Sequence, residues 1–158
     1  MRVDLLACGV LALALVAAPA AADEWFVAGQ DEDAVVLVDR SSIQRNGQEI
    51  IVSTMAVPPA GTQKRGITFI YRITTWSVNC GTMAGYLRNQ TDYDADEKRI
   101  EYNALQIYPR PVPAPFPTDT DQYTALSMAC TGRWGDAPAL PTTLAAYRLG
   151  LERITRGE

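Results

Sequence analysis

Two cysteines in the body of the chain, Cys80 and Cys130, carry the clearest chemical signal. The chain has 158 residues, 3 cysteines and no histidine, and the third cysteine, Cys8, lies in an apolar N-terminal run. An even number of cysteines in a chain with an export signal predicts a disulfide, whereas two cysteines without histidine are too few ligands for a metal site. The disulfide would close a loop of about 50 residues and, from chain entropy, stabilise the fold by roughly 4 kcal/mol.

The missing histidine narrows the reactions that the chain could catalyse. Ser-His-Asp and Cys-His nucleophilic systems both need an imidazole. The sequence also has no glycine-rich loop of the kind that cradles phosphate groups. We therefore predict no catalytic residues and no cofactor, and a carboxylate pair of the glycosidase type is the enzymatic alternative.

Three aspartates at alternate positions, Asp92, Asp94 and Asp96, resemble the start of a calcium-binding loop. An EF-hand loop needs glycine at its sixth position and a bidentate glutamate at its twelfth. Glu97 and Asn103 occupy these positions, which excludes an EF-hand. We predict a solvated acidic hairpin tip without a metal, and a looser surface calcium site is the alternative.

The N-terminus has the layout of a secretory signal peptide over residues 1–22. Leu5 to Val16 is an almost uninterrupted apolar run, and Ala20-Ala21-Ala22 supplies small residues for the peptidase. The run is shorter than the about 20 apolar residues of a membrane span, and no later segment approaches that length. Cys8 precedes most of the run, so we interpret it as part of the discarded signal rather than as a lipid-modified cysteine.

Charge limits the class of partner. The formal net charge is −4, and removal of residues 1–22 takes away one arginine and one aspartate, so that charge does not change. The basic residues form no cluster larger than pairs such as Lys64-Arg65. These features predict a protein of the periplasm, the cell surface or the extracellular space, with a protein partner and without nucleic acid. Self-association into a homo-oligomer is compatible with the sequence.

Short β-rich segments separated by turn residues predict an α+β fold built on an antiparallel sheet of about six strands. Asn46-Gly47 is a hairpin signal, and Asp39 to Ser42 is a group of turn-forming side chains. The five prolines at 109–117 predict an extended connector, with a ligand for an aromatic groove as the alternative. The predicted strands are Trp25–Val27, Val35–Val38, Ile50–Met55, Ile67–Asn79, Met83–Thr91 and Arg99–Asn103.

Two helices should follow the sheet. In the first, from Asp121 to Cys130, the side chains of Tyr123, Leu126 and Cys130 share one face. Cys80 closes the longest strand, so its disulfide with Cys130 would tether this helix to one face of the sheet. The second helix is predicted from about Thr142 to Arg156. Its apolar stripe consists of Leu140, Leu144, Tyr147, Leu151 and Ile154.

The division of the chain into segments depends on whether the second helix packs on the domain or docks to a partner. Gly150 would weaken it by up to about 1 kcal/mol relative to alanine. We expect the apolar stripe to pack on the domain, with docking to a partner as the alternative. The chain is therefore predicted to contain a signal peptide over residues 1–22, a β-rich domain over 23–134 and a helical extension over 135–158.

Several of these segments together resemble the bacterial surface-adhesin protein E family over about residues 24–131. They are Glu24-Trp25-Phe26, the V-D-R-S-S-I segment at 38–43, Cys80 after a long strand, Tyr93-Asp94 at a turn and Cys130 in a helix. The resemblance implies a six-stranded antiparallel sheet with a C-terminal helix bonded by a disulfide to its concave side. It also implies adhesion to host extracellular matrix.

We therefore expect an exported, non-catalytic binding module that presents a sheet face or loops to a protein partner. A structural or accessory subunit of a cell-envelope assembly, docked through the C-terminal helix, is the alternative. An enzyme is the weakest of the three hypotheses. The sequence identifies no ligand-binding residues.

The native protein should have the mass expected after cleavage behind Ala22 and after loss of two hydrogens at Cys80 and Cys130. Intact-mass measurement with and without reduction, on protein from periplasm, membranes and culture medium, tests the cleavage, the disulfide and the location together. Protein at the surface or in the medium would agree with adhesion, and confinement to the periplasm would contradict it.

Overall fold

The computed structural model describes residues 22–31, 33–60, 62–64, 66–100 and 112–157. Apart from the exposed Ala22, the predicted signal peptide lies outside these residues. The same is true of residues 101–103 in the predicted sixth strand and of 109–111 in the proline-rich run. Within the described ranges, no helix is long and apolar enough to cross a membrane.

The predicted antiparallel sheet is confirmed. In the described ranges the strands are β1 Trp25–Gln30, β2 Val35–Asn46, β3 Glu49–Val57, β4 Gln63–Lys64, β5 Ile67–Thr68, β6 Tyr71–Asn79, β7 Ala84–Tyr93, β8 Arg99–Ile100 and β9 Ala114–Pro115. The main sheet has the order β1-β2-β3-β6-β7-β8, and β9 pairs with β7 as well. Strands β4 and β5 form a separate ribbon.

Strand β2 runs farther than the sequence predicted, because the D-R-S-S segment bulges instead of turning the chain. Asp39 pairs with Ser53 and Gln44 pairs with Ile51, so the register shifts between these two pairs. Asp39 Oδ1 accepts hydrogen bonds from the Ser41 N–H at 2.9 Å and from the Ser41 hydroxyl at 2.6 Å. These local bonds satisfy polar groups of the extra residues, so the chain stays in the sheet.

Strand β6 starts later than predicted, at Tyr71 instead of Ile67. Residues 67–68 pair with 63–64 in the ribbon. The intervening Phe69 is buried, with 6% of its surface exposed. Burial of this ring bends the chain out of line with β6, which divides the predicted long strand into two.

Helix α1, Asp121–Thr131, lies on what we call the first face of the sheet. The Thr120 hydroxyl caps its start by accepting a hydrogen bond from the Tyr123 N–H, and Gly132 ends it in the left-handed conformation at φ 71°. The disulfide between Cys80 and Cys130 is present, with Cα atoms 5.4 Å apart, and confirms the predicted tether. The helix and the sheet bury Phe26, Val38, Ile50, Val52, Val78, Ala125, Leu126 and Ala129 together.

Helix α2, Thr143–Arg156, lies on the opposite, second face. Side chains alternate along a strand, so Val35 and Leu37 of β2 point away from Val38 and toward α2. The C-terminal helix thus packs on its own domain. The core on this side consists of Trp25, Val35, Leu37, Met55, Val57, Tyr71 and Ala146.

The buried face of α2 is shifted from the predicted stripe. Tyr147 and Ile154 pack against the core as predicted, but Leu144 and Leu151 are half-buried outside this cluster. Gly150 is buried instead, and a Cβ atom there would lie 2.8 Å from Val57 Cγ2. The helix approaches the sheet too closely for a large side chain at its centre, which is why a glycine occupies this position.

The N-terminal end of the described chain holds the start of α2. Trp25 and Leu140 exchange two backbone hydrogen bonds, of 3.0 and 2.9 Å. Asp23 Oδ2 accepts hydrogen bonds from the Thr143 N–H at 3.1 Å and from the Thr143 hydroxyl at 2.8 Å. These contacts join the two ends of the chain at the outer edge of β1.

Gly150→Val should lower the free energy of unfolding by roughly 2 kcal/mol, because overpacking a core costs about 1–3 kcal/mol. Urea denaturation measures the change. Ala145→Val is the matched control, because Ala145 lies outside the core on the second face. It should lower the free energy of unfolding by no more than about 0.7 kcal/mol, through helix propensity. Equal losses in the two variants would contradict the close contact with Val57.

Candidate functional site

Half of the second face is not covered by α2, whose main contacts are with β1, β2 and β3 and which reaches β6 where Tyr147 packs on Tyr71. The register of β3, β6 and β7 places two rows of three side chains on this half. In these rows only Asn89 is fully exposed, and the other side chains are half-buried. We call this surface the open face and define it by Ile51, Ser77 and Tyr86 in one row and Ser53, Thr75 and Asn89 in the other.

The open face is polar but uncharged. Five of its six side chains end in a hydroxyl, a phenol or an amide, and the sixth is Ile51. The hydroxyls of Ser53 and Thr75 lie 3.3 Å apart and share a hydrogen bond across the strands. Such groups both donate and accept hydrogen bonds, so this surface can match a polar partner of mixed donors and acceptors.

The open face ends in a cavity of about 180 Å³ beside the β6–β7 hairpin. Asn79 Oδ1 accepts hydrogen bonds from the Gly81 N–H at 2.9 Å and the Thr82 N–H at 3.2 Å. These bonds orient the amide, so its NH₂ group is the donor that it can offer to a ligand. The polar and ring-bearing side chains of the lining are Glu49, Ser77, Asn79, Thr82, Tyr86 and Pro113.

A groove of about 300 Å³ follows the outer side of α1. Tyr123 lines it, so the prediction that Tyr123 shares the buried face of the helix with Leu126 is wrong. The small residues Ala125 and Ala129 flank Leu126 at the sheet instead, which lets the helix lie close to the strands. The hydroxyls of Thr124 and Thr131 lie in this groove and already donate to helix carbonyls. Thr118, Ser127 and Arg133 also line the groove.

Two of the three alternating aspartates, Asp92 and Asp94, serve the fold. Asp92 is fully buried in β7 and forms a two-bond ion pair with Arg72, at 2.6 and 3.0 Å. Asp94 Oδ1 accepts hydrogen bonds from the backbone N–H groups of Asp96 and Lys98 and so builds its own turn. In the described part of the chain, no group of three histidine, cysteine or acidic residues could hold a metal ion.

The D-R-S-S segment fastens the bulge of β2 to its neighbours. Arg40 forms a two-bond ion pair with Glu24, both at 2.7 Å, and its guanidinium carbon lies 5.3 Å from the centre of the Phe26 ring. The hydrogen bond from Arg40 lowers the pKa of Glu24. The Ser42 hydroxyl accepts a hydrogen bond from the Ser53 N–H at 2.8 Å. The segment therefore positions strands.

The open face is what the sequence analysis missed. Its signal lies in β6, where the side chains directed to the second face change from Tyr71 and Ile73 to Thr75 and Ser77. The opposite face of the same strand also mixes polar and apolar residues, so periodicity could not show which face was buried. Only the position of α2 reveals that no helix of the described chain covers the polar half.

The profile of the family described as surface-adhesin protein E matches residues 25–131. The chain belongs to this family. The match runs from β1 to the end of α1, so the open face and the disulfide lie within the surface-adhesin protein E module, and α2 lies beyond it. No curated protein and no solved structure matches the chain significantly.

Asp121 is a carboxylate whose surroundings disfavour its charge. Its side chain lies against β1, where a Cβ atom on Gly29 would come within 2.0 Å of Asp121 Oδ1. Its other oxygen is buried without a hydrogen-bond partner among the described groups. Burial raises the pKa of Asp121, and the negative charge of Asp31 adds to the effect. Asp121 lines neither the cavity nor the α1 groove, so the raised pKa reflects packing.

Asp121→Asn should raise the melting temperature at pH 7 by a few degrees, because it removes a carboxylate whose ionised form the fold disfavours. A raised pKa means that the penalty is complete above the folded pKa and disappears as the carboxyl protonates at lower pH. The gain should therefore shrink as the pH falls toward the ordinary aspartate value of about 3.9. Thermal melts between neutral and acidic pH measure it.

Asp119→Asn is the matched control, since it removes the same charge from an exposed residue just before the helix. A gain of equal size and pH dependence in this control would contradict the role of burial at Asp121.

Proposed function

We propose that the protein is an exported, non-catalytic adhesin module that holds a protein partner on the open face. Membership of the surface-adhesin protein E family supports a binding function. The observation that carries the choice of surface is that, among the described residues, α2 leaves an uncharged, hydrogen-bonding half of the second face without a helix over it. The remaining apolar faces of β1 to β3 are occupied by the two helices.

The backbone beneath the open face is fixed. Strand β6, at its centre, is paired with β3 on one side and with β7 on the other along nearly its whole length. A backbone that is paired on both sides loses little conformational entropy when a partner binds. The open face can therefore act as a preformed surface, with Tyr86 as its aromatic anchor because tyrosine is enriched at interaction hot spots.

The chemistry of the open face suits a folded protein surface. Hydroxyl and amide groups lose less on desolvation than charges do, and they can pair with both the donors and the acceptors of a partner. Protein interfaces commonly combine about one hydrogen bond per 100–200 Å² with depletion of charge at the centre. Adhesion to extracellular-matrix protein is the specific role that we propose for this surface.

Export is part of the same proposal. A disulfide such as Cys80–Cys130 persists in oxidising compartments outside the cytosol. Together with the signal-peptide pattern over residues 1–22, it supports a destination in the envelope, at the surface or outside the cell.

The packing of α2 bears on the alternative function, that of an envelope subunit docked through the C-terminal helix. Ala146, Tyr147, Gly150 and Ile154 are directed at the domain's own sheet. Of the apolar stripe on which that alternative depended, Leu140, Tyr147 and Ile154 are therefore covered, whereas Leu144 and Leu151 stay half-buried outside the cluster. Because most of the stripe is covered, we favour the adhesin module.

Thr75→Arg should weaken binding to matrix protein at least tenfold, because a long charged side chain at the centre of the open face blocks the approach of a partner. Surface plasmon resonance of the processed, oxidised protein on fibronectin, laminin and collagen measures the dissociation constants. Thr124→Arg adds the same side chain on the outer side of α1 and is the matched control.

Melting curves must show that both variants fold. Absence of binding to all three matrix proteins, or equal weakening by the two variants, would contradict the proposed role of the open face.

A further inference from the structure

We propose that the cavity at the end of the open face is a subsite for one neutral hexose unit of a glycan. The subsite depends on the proposed function, because the glycan would belong to the partner that the open face holds. The inference names the class of ligand, a neutral sugar, that the cavity would bind.

The size of the cavity limits the ligand. Its volume of about 180 Å³ is below the roughly 300–1,000 Å³ of pockets for drug-sized molecules. It equals the volume of about six water molecules at about 30 Å³ each. One ring-sized group therefore fills the recess, and the rest of a larger ligand would lie outside it.

The polar lining offers the hydrogen bonds that a sugar needs. Glu49 supplies a carboxylate acceptor, and the oriented amide of Asn79 supplies a donor. The hydroxyls of Ser77 and Thr82 can donate and accept. Neighbouring hydroxyl groups on a hexose ring likewise donate and accept in turn, so carboxylate and amide groups side by side can engage several of them.

The cavity also has apolar surface. Tyr86 and Pro113 contribute rings to the lining, and Tyr86 belongs to the open face as well. One side of a hexose ring presents C–H groups, which pack on the face of an aromatic or proline ring while the hydroxyls remain at the polar rim. A mixed lining of this kind distinguishes a sugar site from a site for a small inorganic ion.

Charge narrows the sugar to a neutral one. Glu49 is the one charged side chain among the described residues of the lining. Its carboxylate repels phosphate, sulfate and acidic sugars, and no described lysine or arginine lies within ion-pair distance of it. Glu49 is exposed and stays hydrated, so it does not require a cation. A cationic side chain is the rival occupant that the test must separate.

The test is an NMR titration of the ¹⁵N-labelled, processed and oxidised protein with glucose, galactose, mannose and N-acetylglucosamine. At least one sugar should give saturable shifts, with a millimolar dissociation constant, at the amides of Asn79, Thr82, Gly85 and Tyr86. The same titration with arginine amide tests the rival. Sugar binding should be unchanged between low and high salt, whereas binding of a cation to Glu49 should weaken with salt.

Substitutions test whether the sugar-induced chemical-shift changes arise in the cavity. Tyr86→Ala should weaken the sugar titration at least tenfold, and Tyr86→Phe should keep most of the affinity because the ring remains. Ser127→Ala, in the α1 groove, is the control and should have no effect. Shifts with none of the sugars, shifts outside the cavity, or a response to arginine amide alone would overturn the sugar site.

A second arm separates this inference from the proposed function. Enzymatic removal of glycans from the matrix protein should weaken its binding to the unmodified module and leave the effect of Thr75→Arg in place. Unchanged binding after deglycosylation, with Thr75→Arg still disruptive, would overturn the sugar subsite and leave the open face as a protein-binding surface. Free sugar shifts at the cavity without matrix binding would instead contradict the proposed function alone.

Discussion

The fold depends on one constraint, which is that strands β1 to β3 are apolar on both faces. In β2 the side chains of Val35 and Leu37 point one way and that of Val38 the other, and all three are fully buried. A sheet of this kind must be covered on both sides. Helices α1 and α2 supply the two covers, and the disulfide holds the first of them in place.

A single helix cannot cover a whole sheet. The part of each face that lies beyond its helix therefore differs between the two faces. A helix is about 10 Å wide, and neighbouring strands are about 4.8 Å apart, so each helix shields two or three strands. On the first face, Phe116 covers the exposed side of Trp76, with the ring centres 5.4 Å apart. The corresponding part of the second face is polar instead, and it is this difference that creates the open face.

Residue chemistry predicted the main features of the fold, since strand propensities, the change to helical spacing and the two cysteines all followed from local patterns. The features that local patterns did not predict depend on tertiary contacts. The D-R-S-S segment has the composition of a turn, yet Asp39 satisfies its neighbours from within the sheet. The turn at the predicted hairpin tip is present, but Glu97 takes a left-handed conformation at φ 59° that favours glycine, so composition could not reveal the type of turn. Gly150 weakens a helix in isolation but is required by the contact with Val57.

The candidate site could not be predicted, because the open face is the part of the sheet over which α2 does not pack. Thr75 and Ser77 are ordinary strand residues until the position of α2 is known, and the cavity combines residues from both sides of a hairpin. The spacing of residue types in the sequence does not show which part of the sheet lacks a covering helix. The family match places the surface inside a shared module, while the helix that delimits it lies outside the matched residues.

The meeting of the two chain ends has a consequence for the order of folding. Asp23 binds Thr143, which is 120 positions later, and Trp25 pairs with Leu140. The start of the first strand, at Trp25, therefore has no partner on its outer edge until residue 140 has followed. During that interval the apolar side chains that α2 later covers are exposed to water, so incomplete chains are the form most prone to aggregate and most in need of a chaperone.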